Sequence, residues 1–160
     1  MNRIDFNKYN RLLGISTGIL SFVVFSLTVE PTASYWDCAE YISTSAKLQI
    51  GHPPGAPLFQ MLGAIFSILA FDVTQIAYAV NMMSVTSSAL TIMFLFWSIS
   101  LIAKEILKVK EIVKVSEAIK IFGSSFLGSI TFTFTDSFWY NAVEAEVYAM
   151  ATLILAILFW

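Results

Sequence analysis

The chain has 160 residues, enough for one domain, with 58% apolar residues and a mean hydropathy of +0.76, far above the composition of a soluble globule. Only 12% of positions are charged, too few for a water-facing surface, which in ordinary domains is about a quarter to a third charged. A net charge of −2 without basic excess argues against nucleic acid, and the single Cys38 excludes an intrachain disulfide and a cysteine metal cage.

An all-α integral membrane protein is therefore expected, and its spans can be sought against the roughly 20 helical residues that cross a bilayer. The first predicted span covers residues 12–29, preceded by Arg3, Lys8 and Arg11. Its length and the poor cleavage site at Glu30-Pro31-Thr32-Ala33 favour a signal anchor over a cleaved signal. Surface helices are expected at about 36–50 and 57–71, the second too short to cross. Further spans are predicted at 75–103, 119–135 and 147–160. The alternating Thr131-Phe-Thr-Phe-Thr135 has strand periodicity, but its setting favours helix. The last apolar run reaches Trp160 without a polar end, the pattern expected of the N-terminal part of a larger transmembrane domain.

Charge orders these elements. With 57–71 kept on the surface, Arg3, Lys8, Arg11, Lys104, Lys108, Lys110, Lys114 and Lys120 share one side with four acids, for a net of +4. The other side holds Lys47 against Glu30, Asp37, Glu40, Asp72, Asp136, Glu144 and Glu146, a net of −6. The positive-inside rule puts the basic side in the cytoplasm and predicts a multi-pass protein of the inner (plasma) membrane with an acidic outer face. Gln60, Gly63, Ala64 and Ser67 make a small and polar stripe on the otherwise greasy 57–71 helix, suited to face protein or water while the rest meets lipid.

Two short regions carry the outer acids. In the first, Ser34-Tyr-Trp-Asp37-Cys-Ala-Glu40-Tyr41 opens a helix-compatible run that Gly51-His52-Pro53-Pro54-Gly55 ends. Asp37, Glu40, Tyr41 and Thr44 share one helical face, a carboxylate cluster able to accept a proton or hold a metal or a hydroxyl. The competing reading is a capping box, Ser34-x-x-Asp37. In the second region, Asp136 to Tyr148, Glu144 and Glu146 open the last span. They can complement the helix dipole beside an aromatic belt of Trp139, Tyr140 and Tyr148. A carboxylate carried to the bilayer midplane costs about 2.5–3.5 kcal/mol, so acids at such a place usually have a partner. His52 alone reads as a turn residue, Ser84 to Thr91 as helix-packing contacts, and Ser124 with Gly128 as a small-xxx-small pair. No phosphate loop, dinucleotide fingerprint or nucleophile elbow is present.

Trp36-Asp-Cys-Ala-Glu-Tyr41, Gly51-His-Pro-Pro-Gly-Ala-Pro-Leu-Phe59, Val80-Asn81-Met-Met-Ser84 and Phe138-Trp-Tyr-Asn-Ala-Val-Glu-Ala-Glu-Val-Tyr148 together resemble the N-terminal part of the protein O-mannosyltransferase-like family of GT-C membrane glycosyltransferases. The resemblance implies a GT-C type multi-helix bundle with an active site at the outer membrane face, a polyprenyl-phosphate sugar donor, mannose by preference, and Ser or Thr hydroxyls of an acceptor protein. By motif position Asp37 is the general base and Glu40 orients it or the acceptor. His52, Glu144, Glu146 and Tyr148 bind substrate, and because no motif assigns that role to Lys47, the one base on this face, cation help for the phosphate is expected from outside this segment. A divalent metal is compatible with the family's chemistry but no residue set in the sequence demands one, and residues 1–160 alone are expected to be inactive. The rival reading is a non-enzymatic transporter half or assembly subunit, although acids in transporters normally sit near the midplane of broken spans.

Overall fold

The computed structural model describes residues 3–160. It opens with a three-residue strand, β1 (Arg3–Asp5), and a long helix, α1 (Phe6–Thr28), whose start is capped by Asp5 accepting from the Lys8 amide at 3.0 Å. Two short helices follow, α2 (Cys38–Lys47) and α3 (Pro57–Ile68). A 3₁₀ turn at Val73–Gln75 then runs into the 31-residue α4 (Ile76–Ile106). The chain returns through β2 (Ile112–Lys114) and α5 (Val115–Thr133), then α6 (Asp136–Val143) and α7 (Val147–Phe159).

Helix α4 is the axis of the bundle, and α1, α5 and α7 pack along it. Its serines and threonines explain how closely they approach: Ser84, Ser87, Ser88 and Thr91 are buried as the packing reading expected. On α5 the buried stripe is Ser125, Ser129 and Thr133, each hydroxyl bonded to the carbonyl four residues back. The predicted Ser124–Gly128 pair is corrected by one position. Ser124 is exposed and bonds Ile121 O, and only Gly128 lies against α4, at Ile99. The Thr131–Thr135 alternation is helical through Thr133.

Among the described residues, two helices are long and apolar enough to cross a membrane, Phe6–Thr28 and the Val73–Ile106 unit, and a third arises if α6 and α7, bent by 111°, count as one broken span. The spans predicted at 119–135 and 147–160 are thus weaker than the first two. Helix α5 carries Glu117 and Lys120 in its opening turns, and α7 has only 13 residues. Exposed Leu12, Ile19, Val23, Leu27, Leu127, Leu155 and Leu158 nevertheless clothe the outside of the bundle in apolar side chains, the reverse of a water-soluble surface.

The two ends of the bundle differ. At one end β1 pairs antiparallel with β2, Ile4 opposite Val113, and the strands sit over a core of Phe6, Phe96, Ile121 and Phe122. The Phe6 and Phe122 rings lie 5.4 Å apart, with Lys104 Nζ 4.6 Å from the Phe6 centroid. These strands were not expected, because three residues carry no readable period. At the other end lie α2, α3, α6 and the N-terminus of α7, resting on a second core of Cys38, Ile42, Phe59, Val80, Met83, Ala145 and Met150.

Candidate functional site

The loop from α1 to α2 is set by one buried side chain. Asn81, fully buried in the second turn of α4, donates through Nδ2 to the carbonyls of Glu30 at 2.7 Å and Thr32 at 2.9 Å. The Glu30 amide in turn bonds Val143 O at 2.9 Å, so the end of α1 and the end of α6 are joined. Beyond that anchor Trp36 takes a left-handed backbone, φ 60°, with its indole almost wholly exposed, and the next residue is Asp37. The predicted capping box does not form. Helix α2 starts at Cys38 with no side-chain bond from its cap, and the Ser34 hydroxyl donates instead to Glu144 Oε2, 110 residues away.

Helix α2 ends at Leu48 in the left-handed region, φ 49°. The Gly51–Gly55 turn then brings His52 back over the first turn of the helix. Gly51 lets both side chains close on the turn, since a Cβ there would lie 2.9 Å from Gln60 Nε2 and 3.0 Å from Glu40 Oε1 and the ends of these two side chains would have to shift. Glu40 holds the turn twice, accepting from the His52 amide at 2.6 Å and facing His52 Nδ1 at 2.9 Å. The other ring nitrogen, Nε2, lies 3.9 Å from Asp37 Oδ2. Behind this group Gln60 donates to Thr44 Oγ1 at 3.1 Å and Gly63 abuts Ser45, so the small stripe of α3 faces α2. Leu58, Met61, Ile65 and Ile68 point away from the protein.

Asp37, Glu40 and His52 therefore form one cluster whose ligand atoms lie within 4.8 Å of one another. The sequence reading missed this set, because His52 stands 12 residues from Glu40 and only the turn closes that gap. The three could hold a divalent cation once His52 releases its hydrogen bond to Glu40. The bonds to His52, backbone first and ring second, hold Glu40 below its usual carboxylate range, and Glu40 holds the His52 imidazole above its own.

The second acidic region meets the first here. Glu146, between α6 and α7, is pushed up to about 7 by burial first, then by the charges of Glu144 and Asp37. Tyr41 sits at the junction, its ring 5.2 Å from Phe59 and 6.3 Å from His52. Burial and then the field of Glu146, Asp37, Glu40 and Tyr148 raise its phenol. Six sequence-predicted residues thus converge at one end of the bundle, with different placements. Asp37, Glu40 and His52 touch, Glu146 stands within their field, Glu144 is turned toward Ser34, and Tyr148 stays 62% exposed on the first turn of α7. Lys47 lies in the last turn of α2, at the far end from Asp37. Trp139, expected in an aromatic belt, packs inward against Phe25 and Phe134 at 5.4 and 5.5 Å. Functional residues that the sequence did not single out are Ser34 as the partner of Glu144 and Asn81 as the anchor. A buried Asn in an apolar span was the available signal for the latter.

An apolar helix bundle with two helices long and apolar enough to cross a bilayer marks a membrane protein, and it carries a carboxylate–histidine cluster at one end. The chain belongs to the family described as Protein O-mannosyl-transferase TMEM260 N-terminal domain, which matches residues 37–160. It is 26% identical over 137 residues to "Protein O-mannosyl-transferase tmem260" of Dictyostelium discoideum, a match covering 85% of this chain and 15% of that protein. To "Protein O-mannosyl-transferase TMEM260" of Mus musculus it is 25% identical over 135 residues, 84% of this chain and 17% of the relative. The chain thus spans about a sixth of the length of these relatives. No solved structure matches it.

Proposed function

We propose that this chain forms the N-terminal part of a membrane glycosyltransferase that moves a sugar, mannose by the naming of its relatives, from a polyprenyl-phosphate donor to Ser or Thr hydroxyls of a protein, with inversion. The observation that carries the reading is the meeting of Asp37 with Glu146, Glu40 and His52, drawn from segments about a hundred residues apart, at one end of an apolar bundle.

Asp37 is the general base. An acceptor hydroxyl is a weak nucleophile, so its proton passes to the Asp37 carboxylate as the oxygen bonds the anomeric carbon. The bond from that carbon to the phosphate oxygen breaks on the opposite face, and the phosphate departs with the electron pair, inverting the centre. Glu40 is a positioning residue that fixes His52 beside Asp37. Glu146, with its pKa near neutrality, exists partly as a carboxylic acid and can donate as well as accept toward sugar hydroxyls. In the membrane the basic end lies in the cytoplasm and the acidic cluster on the outer face, with α5 and α7 crossing beside α1 and α4 inside a larger bundle.

The test is sugar transfer from radiolabelled polyprenyl-phosphate mannose to an acceptor peptide, in membranes carrying the complete gene product. Wild type is expected to transfer, and Asp37→Asn to lose about 10²–10⁴-fold in rate. Equal rates remove Asp37 as the base, and no transfer by either removes the enzyme reading. Accessibility labelling from the two sides tests the orientation. Label reaching the Asp37 turn and Lys110 from the same side would exclude it.

A further inference from the structure

Beside the cluster, on the other side of the Ser34–Asp37 stretch, lies a cleft of ≈ 830 Å³. Its walls are the end of α1 with the following loop, which bring Glu30, Ser34, Tyr35 and Trp36, and the outer side of α6, which brings Tyr140 and Glu144. The volume is that of a ligand site. Three aromatic rings stand at it with large exposed faces, Tyr35 at 88%, Trp36 at 93% and Tyr140 at 67%. Both carboxylates use one oxygen within the protein. Glu30 Oε1 accepts from the Thr32 amide and hydroxyl at 3.2 and 2.9 Å, and Glu144 Oε2 accepts from Ser34. Their other oxygens have no hydrogen-bond donor among the described residues, and no Lys, Arg or His lines the cleft.

Two uncompensated carboxylates repel a phosphate, so the cleft does not suit the phosphate end of a lipid-linked sugar. The same carboxylates, flanked by indole and phenol faces, suit a cation, which gains from both the charge and the ring quadrupoles. We propose that this cleft seats a polypeptide segment bearing a Lys or Arg side chain. On the glycosyl-transfer reading, on which this naming of the occupant rests, that segment is the acceptor. Trp36 is adjacent to Asp37 in the chain, so a segment lying in the cleft passes the base as it leaves.

The test measures binding without donor, so that it stands apart from catalysis. The complete gene product in nanodiscs is titrated with two fluorescent Ser/Thr peptides of one sequence, one with Arg flanking the hydroxyl residue and one with Glu, and anisotropy is read. The Arg peptide is expected to bind about tenfold tighter than its Glu twin. Glu30→Gln should narrow that preference, Tyr140→Ala should weaken the Arg peptide severalfold, and Glu30→Lys should turn the preference toward the Glu peptide. That last result is a gain of binding and cannot arise from misfolding. Equal binding of the two peptides, no binding of either, or a preference unchanged in Glu30→Lys overturns the proposal. Charge-selective binding with no sugar transfer by wild type would leave the cleft standing and remove the enzyme reading alone.

Discussion

The two ends of the bundle are built by different means. At the basic end the chain closes by backbone pairing of β1 with β2 and by stacking of Phe6, Phe122 and Phe96, which place apolar surface out of contact with solvent and leave the lysines outside. At the acidic end there is no sheet among the described residues, and the short helices α2, α3 and α6 are held by side-chain bonds between distant segments: Asn81 to the α1–α2 loop, Gln60 to Thr44, Ser34 to Glu144, Glu40 to His52. A region fixed by apolar stacking tolerates changes of charge. One fixed by polar bonds is sensitive to the ionisation of its members.

The largest effect on stability is expected at the basic end. Phe6→Ala removes a fully buried ring and should cost about 3–5 kcal/mol, read as a fall in the thermal midpoint of purified protein in detergent. The pH dependence of unfolding should be unchanged, and a changed profile would mean that the two ends are coupled. Asn81→Leu at the acidic end leaves the Glu30 and Thr32 carbonyls without their donor and should cost about 1–3 kcal/mol. It should also free the α1–α2 loop, seen as faster amide exchange confined to residues 30–37.

Glu146 supplies a smaller, pH-linked effect. Its folded-state pKa of about 7 lies above the usual 4.5, so the folded protein keeps a proton that the unfolded chain gives up. Its contribution is present in full below 4.5 and is lost as pH rises through 7. Wild-type stability should therefore fall across that window, and Glu146→Gln should flatten the fall. An unaltered slope in the variant would show that Glu146 is not the titrating group. The smallest effect belongs to the exposed His52–Glu40 pair. His52 titrates above its ordinary value because Glu40 accepts from it, so the pair's contribution is present in full below the ordinary imidazole value and lost as pH rises through the raised one. His52→Gln removes the ring but keeps the amide bond, so Glu40 should move only part of the way back to its usual carboxylate range, measurable as a shift of its carboxylate infrared band, with little change in the thermal midpoint.

The comparison also marks what could be read from the sequence. Helix positions other than that of α6, which no expected element covered, followed from hydropathy and from Pro and Gly placement, as at Pro57 opening α3 and at the turn after α2. The strands β1 and β2 did not, since three residues show no alternation. Of the site, Asp37 and Glu40 were evident as acids at helical spacing, but the role of His52 was not, nor the exchange of the Ser34 cap for a bond to Glu144. Each of those depends on a contact between segments whose separation in sequence carries no periodic signal.

The amino-acid sequence alone determined that this protein is apolar, helical and charge-sorted, with acids gathered in two stretches and bases in two others. Those properties sum over residues and so survive without coordinates. Charge sorting already put the two acidic stretches on one side, and only the tertiary structure decided which of their residues meet, that a histidine closes the cluster, and that a cleft opens beside it. Such features exist only once α4 brings together the segments on either side of it, because hydrogen bonds and charge interactions depend on distances of a few ångströms that no local pattern encodes.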